Sequence, residues 1–159
     1  MSFPAPQPAA EFVWNDGFLL GFNPMDDTHK EFVDVVHAMD VADDAAFPAA
    51  LDRFIVHAEA HFAQEDEWMR LNDFPARECH VEEHGRVLDS AYQVKGIVEA
   101  GNVAVGRDFV TAVKDWFPGH ADYLDSALAK WMVKRTTGGA PVVLRRLRPA
   151  GDPSSPQAE

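Results

Sequence analysis

The sequence predicts an all-α protein: an antiparallel up-and-down four-helix bundle with an irregular N-terminal arm and a disordered C-terminal tail. Three observations favour this fold. Apolar residues recur at helical spacing in four segments, no segment shows the two-residue alternation of a strand, and the connections between the segments are short. With 159 residues, of which 47% are hydrophobic, the chain is long enough for one domain with a substantial core.

The chain begins with an arm that cannot adopt regular structure. Pro4, Pro6 and Pro8 exclude a helix or a central strand from residues 1–11. Residues 12–24 are too rich in Phe, Trp and Leu for a free tail. We therefore expect them to form an irregular segment that packs across the domain.

The helix boundaries follow from capping residues and helix breakers. The first helix should begin near residues 26–28, where Asp and Thr are suitable N-caps, and Pro48 is acceptable in the first turn of the second helix. Asn72–Asp73 is typical of a turn, and Gly101–Asn102 is typical of a helix C-terminus. The four predicted helices span about residues 26–43, 47–71, 76–100 and 107–134.

Beyond Arg135 the chain should be irregular, because Thr-Thr-Gly-Gly and four prolines break any helix. The segment Val142–Arg148 within it is both basic and apolar. It is either a docking segment, for a protein partner or for the acidic domain itself, or part of a loose tail. The predicted division of the chain is a flexible arm, a bundle domain and a flexible tail at residues 1–11, 12–135 and 136–159.

The uneven charge of the chain excludes some partners. The net charge is −12, and residues 1–133 hold 24 acidic and 9 basic side chains. Such a surface repels phosphate backbones, so no nucleic-acid partner is expected; the acidity either attracts cations or serves solubility alone. No apolar run is long enough to predict a membrane span. A single cysteine and the lack of a basic, apolar leader predict a cytoplasmic protein.

Metal-capable side chains recur four residues apart in two segments. His61 and Glu65 form one pair, and His80 and His84 form the other. Residues at i and i+4 share one face of a helix, so each pair aims two ligands in one direction. A single pair of this kind is common by chance, and its members are then ordinary core or surface residues.

Helical rise places these pairs at one level of the bundle. At about 1.5 Å per residue, His29 and His61 each lie roughly 20 Å from the loop that joins the first two helices. The same reasoning places the other candidates within about one turn of that level. The seven candidate metal ligands are His29, His61, Glu65, His80, His84, His120 and Asp125.

The number and types of these ligands predict a site for two metal ions. Asp125 follows His120 by five residues, which rotates it by about 140° around an α-helix. That offset is poor for chelating one ion but suits a carboxylate that reaches between two. Five imidazoles and two carboxylates are also too many for a single zinc ion. Imidazole and carboxylate without thiolate suit iron, and also manganese or zinc.

At these positions the sequence resembles the hemerythrin family in its bacterial form, over about residues 12–133. The motifs that carry the resemblance are Met25-Asp-Asp-Thr-His29-Lys30, His61-Phe-Ala-Gln-Glu65, His80-x-x-x-His84 and Trp116-x-x-x-His120-x-x-x-x-Asp125. The resemblance implies a non-heme di-iron centre bridged by Glu65, Asp125 and an oxo or hydroxo group. It implies one iron held by His80, His84 and His120. The second iron would be held by His29 and His61, with an open position where O2 binds reversibly as hydroperoxide.

The resemblance also implies an apolar O2 pocket, whose walls are Phe32, Phe62, Trp116 and Phe117. His57 departs from the family pattern, and is either an extra ligand, proton donor or base, or a core histidine bonded to the backbone. His37 is expected to be inert, and Cys79 to be a small buried side chain. Pro118 should weaken the helix around His120, because proline removes one backbone donor.

Three functions are compatible with such a site. The first is an O2-binding carrier, store or sensor, which we expect in preference to an enzyme. The second is a di-iron oxidase, peroxidase or nitric-oxide-handling enzyme that uses the same centre. The third is a signalling module whose basic tail, Arg145–Arg148, reports the metal state to a protein partner.

Overall fold

The structure, a computed structural model, describes residues 11–144. Among these residues it contains four antiparallel helical rods and no strand, which confirms the predicted fold class. The first three rods are the helices α1 (Asn23–Val41), α2 (Phe47–Leu71) and α3 (Arg77–Glu99). The fourth rod comprises α4 (Val103–His120), a π-helical segment (Ala121–Asp125) and α5 (Ser126–Thr137).

Rods that follow one another in the sequence are also neighbours in space. Helix α2 packs against α1 and α3, and α4 packs against the same two helices. This arrangement closes the bundle with short connections, as expected of an up-and-down topology. Within residues 11–144, no helix has the length and apolar composition needed to cross a membrane.

The two ends of the chain lie largely outside the described residues. These include residues 1–10 of the predicted arm and residues 145–159 of the predicted tail. Helix α5 continues through Thr136 and Thr137, which corrects the expectation of irregular structure beyond Arg135. It ends there because Gly138 adopts a φ of +74° and closes the helix with a left-handed residue. The domain boundaries at residues 12 and 135 stay predictions.

Helix α1 begins three residues earlier than predicted, at Asn23, with Pro24 in its first turn. Asp26 is therefore not an N-cap. Its buried carboxylate instead accepts hydrogen bonds from the backbone N–H groups of Leu20, at 2.8 Å, and Gly21, at 3.1 Å. The acidic residue thus ties the preceding segment to the start of α1.

The predicted helix end at Gly101 is confirmed in detail. Gly101 adopts a φ of +103°, its N–H donates to the carbonyl of Val98 at 2.9 Å, and the N–H of Asn102 donates to that of Ile97 at 3.1 Å. These two bonds define a Schellman motif, which requires a residue that tolerates the left-handed region. The side chain of Asn102 then caps α4 by accepting from the N–H of Val105. Helix α4 consequently begins at Val103, four residues before its predicted start.

Two apolar clusters enclose a layer of buried polar residues. On α1, His29 lies between Met25 of the smaller cluster and Phe32 of the larger one. On α2, Glu65 lies in the same way between Phe62 and Met69. The polar layer is therefore separated from water at both ends of the bundle by packed side chains.

The segment before α1 covers one side of this layer. It contains a 3-10 turn at Asp16–Phe18, and the rings of Phe12 and Phe18 contact the ring of Phe117, with centroid distances of 6.2 and 5.6 Å. Trp14 packs in turn on Phe18. The prediction that residues 12–24 pack across the domain is confirmed.

Candidate metal centre

All four rods contribute to one buried cluster of imidazoles and carboxylates. Every member is at most 4% exposed to solvent. Helix α1 provides one imidazole, α2 an imidazole and a carboxylate, α3 two imidazoles, α4 one imidazole and the π-helical segment one carboxylate. These side chains are the seven that the sequence singles out: His29, His61, Glu65, His80, His84, His120 and Asp125.

Glu65 stands between two groups of imidazoles. Its Oε1 lies 2.9 Å from Nε2 of His61 and 3.4 Å from Nε2 of His29. Its Oε2 lies 3.3 Å from Nε2 of His84 and 3.4 Å from Nε2 of His80. Each oxygen of one carboxylate therefore faces a different group.

Asp125 repeats this arrangement from the fourth rod. Its Oδ1 lies 2.9 Å from Nε2 of His80 and 3.1 Å from Nε2 of His120, whereas its Oδ2 lies 3.1 Å from Nε2 of His29. The cluster therefore has a three-histidine half (His80, His84, His120) and a two-histidine half (His29, His61). Both carboxylates span the two halves.

A π-helical turn explains how Asp125 reaches this position. In an α-helix, Asp125 would be rotated by about 140° from His120. The structure corrects that expectation, because the N–H of Ser126 bonds to the carbonyl of Ala121, five residues earlier. The wider turn brings His120 and Asp125 onto one face. It begins three residues after Pro118, where a weaker helix is expected, although α4 itself continues to His120.

The buried nitrogen and oxygen atoms of the cluster are better placed to coordinate metal ions than to form hydrogen bonds with one another. Six of them have no hydrogen-bond partner among the described residues: Nε2 of His80, His84 and His120, Oε2 of Glu65, and both carboxylate oxygens of Asp125. Buried polar atoms normally have partners. These atoms lie close together without hydrogen-bond alignment, as ligand atoms do when they aim at a common point.

The electrostatics of the cluster favour cations. Burial alone would lower the pKa of His29, but the carboxylates of Asp125 and Glu65, at 3.1 and 3.4 Å from its Nε2, raise it to about 10. The same opposition of effects raises the pKa of His80 to about 9. Burial would raise the pKa of Glu65, yet the charge of His61 and hydrogen bonds with its histidine neighbours hold it well below its usual range. The two carboxylates thus stabilise positive charge in the centre of the cluster.

Comparisons with known proteins agree with this geometry. Residues 20–132 match the family model described as the hemerythrin HHE cation binding domain. The chain belongs to the hemerythrin family. It is 38% identical to a bacteriohemerythrin of Ralstonia nicotianae over 122 residues, which cover 77% of this chain and 89% of the relative.

More distant relatives of the family cover a similar share of the chain. A bacteriohemerythrin of Methylococcus capsulatus is 28% identical over 74% of this chain and 88% of its own length. A myohemerythrin of Sipunculus nudus is 26% identical over 79% of this chain and 94% of its own length. No solved structure matches.

Two further carboxylates in this hemerythrin-family chain bind the outer nitrogens of the three-histidine half. Oδ1 of Asp66 lies 2.8 Å from Nδ1 of His84, and Oε1 of Glu83 lies 3.0 Å from Nδ1 of His120. Neither residue is among those that the sequence pattern predicts for the site. Asp66 directly follows Glu65 and Glu83 directly precedes His84, but acidic side chains are so frequent in this chain that adjacency alone is a weak signal.

The four aromatic residues of the expected O2 pocket divide between the two halves. Phe117 contacts His29 and Phe32 contacts His61, with ring centroids 5.3 and 5.5 Å apart, and the two phenylalanines stack on each other at 4.6 Å. Phe62 stacks on His84 at 4.1 Å with an interplanar angle of 6°, and Trp116 lies 4.4 Å from His120. Phe62 also contacts His61, at 5.1 Å.

The other singled-out residues lie outside the cluster. The His57 ring lies 5.4 Å from that of His61, but His57 is not among the grouped metal-capable side chains. The prediction of a backbone hydrogen bond fails in the described residues: Nε2 of His57 has no partner there, and Nδ1 lies 3.8 Å from Glu31. His37 lies 3.6 Å from Glu11. Cys79 is exposed, which corrects the expectation that it is buried.

Proposed function

We propose that this chain binds O2 reversibly at a non-heme di-iron centre, as a carrier, store or sensor. The observation that carries the proposal is the placement of Glu65 and Asp125, each of which presents one oxygen to each half of the cluster. A carboxylate in this position could serve as a ligand to one ion in each half. The proposed ligands are the seven clustered residues, with His80, His84 and His120 on one iron and His29 and His61 on the other.

The chemistry of the donors supports iron. Imidazole and carboxylate with no thiolate form the ligand set of non-heme iron proteins, and seven buried donors exceed the needs of one zinc ion. As the family resemblance implies, an oxo or hydroxo group would complete the proposed centre. When bound, the two irons would supply the electrons for reversible O2 binding.

The two-histidine half is the proposed site of O2 binding, because it provides one imidazole fewer than its counterpart. The rings of Phe32 and Phe117 pack against its imidazoles and are buried. An apolar wall of this kind keeps water and protons away and so favours release of O2 over loss of a reduced product.

The proposal extends to the domain that carries the activity, its compartment and its partners. We assign the activity to the bundle domain, residues 12–135, acting in the cytoplasm. The acidic surface of this domain favours neither nucleic acid nor anionic membranes as partners. The basic segment Arg145–Arg148, the proposed contact for a protein partner, lies outside the described residues.

Metal analysis and optical spectroscopy test this proposal together. Freshly purified protein should contain two irons per chain. Anaerobic reduction followed by O2 should produce a visible absorption band that disappears on deoxygenation and returns on a second exposure. His29→Ala, which removes an imidazole from the two-histidine half, should abolish the band. One zinc per chain would contradict the di-iron centre. A band that decays at once, with turnover of peroxide, would replace O2 binding by an oxidase or peroxidase activity.

A further inference from the structure

We infer that Asp66 and Glu83 are positioning residues that cause the three-histidine half to take up its metal ion before the two-histidine half. The inference rests on the proposed function, because it concerns how the same di-iron centre is assembled. It assigns a role to two side chains that touch no metal ion themselves. It also predicts that the centre passes through a state with a single ion.

The first support is the tautomer that the two carboxylates impose. An ionised carboxylate can only accept hydrogen bonds, so Nδ1 of His84 and Nδ1 of His120 must carry the hydrogen that each donates. The lone pair of each imidazole then lies on Nε2, the nitrogen that faces Glu65 or Asp125. Both rings are therefore held in the form and orientation that bind a metal ion.

The second support is the contrast with the other half. Nδ1 of His29 and Nδ1 of His61 are buried, and neither has a hydrogen-bond partner among the described residues. No hydrogen bond at either Nδ1 atom selects a tautomer or resists rotation of the ring. In the three-histidine half, only Nδ1 of His80 shares this lack of a partner among the described residues. An ion that binds in the two-histidine half must itself fix the tautomer and orientation of the imidazoles. In the three-histidine half, Asp66 and Glu83 fix them for two imidazoles before an ion binds.

The third support is the number of donors that already converge. In the three-histidine half, ligand atoms of five residues lie within 4.8 Å of one another: Glu65, His80, His84, His120 and Asp125. In the two-histidine half, such a group comprises only His29, His61 and Glu65. A first ion therefore gains more coordination in the three-histidine half without movement of the chain.

Glu83 is itself held in place. Its Oε1 accepts a second hydrogen bond from Nε1 of Trp116 at 2.7 Å, and the Trp116 ring packs on His120. Trp116 thus holds the Glu83 carboxylate in place, and that carboxylate orients the His120 imidazole.

The test is an anaerobic calorimetric titration of the full-length, metal-free chain with ferrous ion. We expect two separate binding steps. His29→Ala should leave the first step intact and remove the second. His84→Ala should lower the association constant of the first step. The titration should then no longer show two separate steps with the association constants of the parent chain.

Variants of the two positioning residues provide the decisive comparison. Asp66→Ala and Glu83→Ala should each lower the ratio of the first to the second association constant by about 10- to 100-fold, the usual effect of removing such a partner. Asp66→Asn and Glu83→Gln should recover most of this loss, since an amide oxygen still accepts the hydrogen from Nδ1. The matched controls are Glu67→Ala and Glu82→Ala, neighbours whose described ion pairs are with Arg70 and Arg86.

Each outcome of the titration decides one of the two proposals. A single step that takes up both ions, or a first step abolished by His29→Ala, would overturn the loading order while leaving a dimetal centre in place. Equal losses in the Asp66→Ala variant and its Glu67→Ala control would show that Asp66 positions nothing. Failure of the parent chain to bind two ions would overturn the proposed function as well. Circular dichroism of each metal-free variant separates these outcomes from misfolding.

Discussion

The two halves of the metal centre share both carboxylates but differ in what lies behind their imidazoles. In the three-histidine half, Asp66 and Glu83 bind the outer nitrogens of two imidazoles. In the two-histidine half, the imidazoles contact the edges or faces of the Phe32 and Phe117 rings, and no carboxylate binds their outer nitrogens among the described residues. The same two kinds of side chain therefore stand in two different environments. Under the proposed function, the first environment would order and anchor an ion, and the second would exclude water around the position where O2 binds.

The largest effect should come from removing a side chain that both halves share. Glu65→Ala deletes one donor from each half at once, so iron content should fall from two per chain to one or fewer, measured by elemental analysis. The O2-dependent absorption band should be lost with it. Glu67→Ala, two residues further along the chain, removes the same charge at an exposed position and should retain both irons. Full iron content in Glu65→Ala would show that Glu65 does not bridge the halves.

The next effect is the loss of stability when both ions are removed. Chelation should lower the melting temperature by about 10 °C at neutral pH, because an ion bound only by the folded state stabilises it by several kcal/mol. The measurement is thermal unfolding followed by circular dichroism, with and without chelator. A melting temperature that ignores the chelator would exclude a tightly bound ion from the core.

The stability difference should grow with pH. In the metal-free chain, the pKa of His29 is raised from 6.5 to about 10 and that of His80 to about 9, so their protonated forms stabilise the fold. A raised pKa contributes stability that is fully present below pH 6.5 and is lost as pH rises through 9 and 10. Metal ions replace those protons in the loaded protein. The gap in melting temperature between loaded and metal-free protein should therefore widen from pH 6.5 to pH 10, and a constant gap would contradict this account.

Helical periodicity predicted the clustered imidazoles and carboxylates of both halves but not what distinguishes the two halves. His61 with Glu65, and His80 with His84, could be aligned from spacing alone, because i and i+4 share a face in any α-helix. The position of Asp125 could not, since the π-helical turn that carries it changes the rotation per residue.

The residues behind the imidazoles illustrate the same limit. Asp66 and Glu83 reach Nδ1 atoms through contacts between different rods, namely α2 with α3 and α3 with α4. Such contacts depend on side-chain orientation and on the distance between helices, and neither quantity has a pattern in the sequence. The exposed position of Cys79 was missed for a related reason, because hydrophobic character alone does not determine which face of α3 packs inward.

A smaller effect should distinguish the wall of the two-histidine half from the rest of the core. Phe117→Leu should shorten the lifetime of the O2-bound protein several-fold, because a smaller side chain beside His29 admits water. The measurement is the decay of the O2-dependent absorption band. Phe109→Leu is the matched control, because Phe109 is buried on the same helix but packs on Phe54. Both variants should lose on the order of 1–3 kcal/mol in free energy of unfolding, so equal lifetimes would show that Phe117 contributes only packing.

The smallest effect is expected at His57, which lies one helical turn before His61. Burial and the neighbouring His61 and His29 lower the pKa of His57 to about 4, so the imidazole is neutral at physiological pH and adds no charge to the two-histidine half. Its Nδ1 is 3.8 Å from Glu31, too far for a hydrogen bond. His57→Gln should therefore keep two irons per chain and change the lifetime of the O2-bound protein less than Phe117→Leu does. Loss of one iron would instead make His57 a ligand of the two-histidine half. The two halves would then have equal numbers of imidazoles, and the two-histidine half would have no open position for O2.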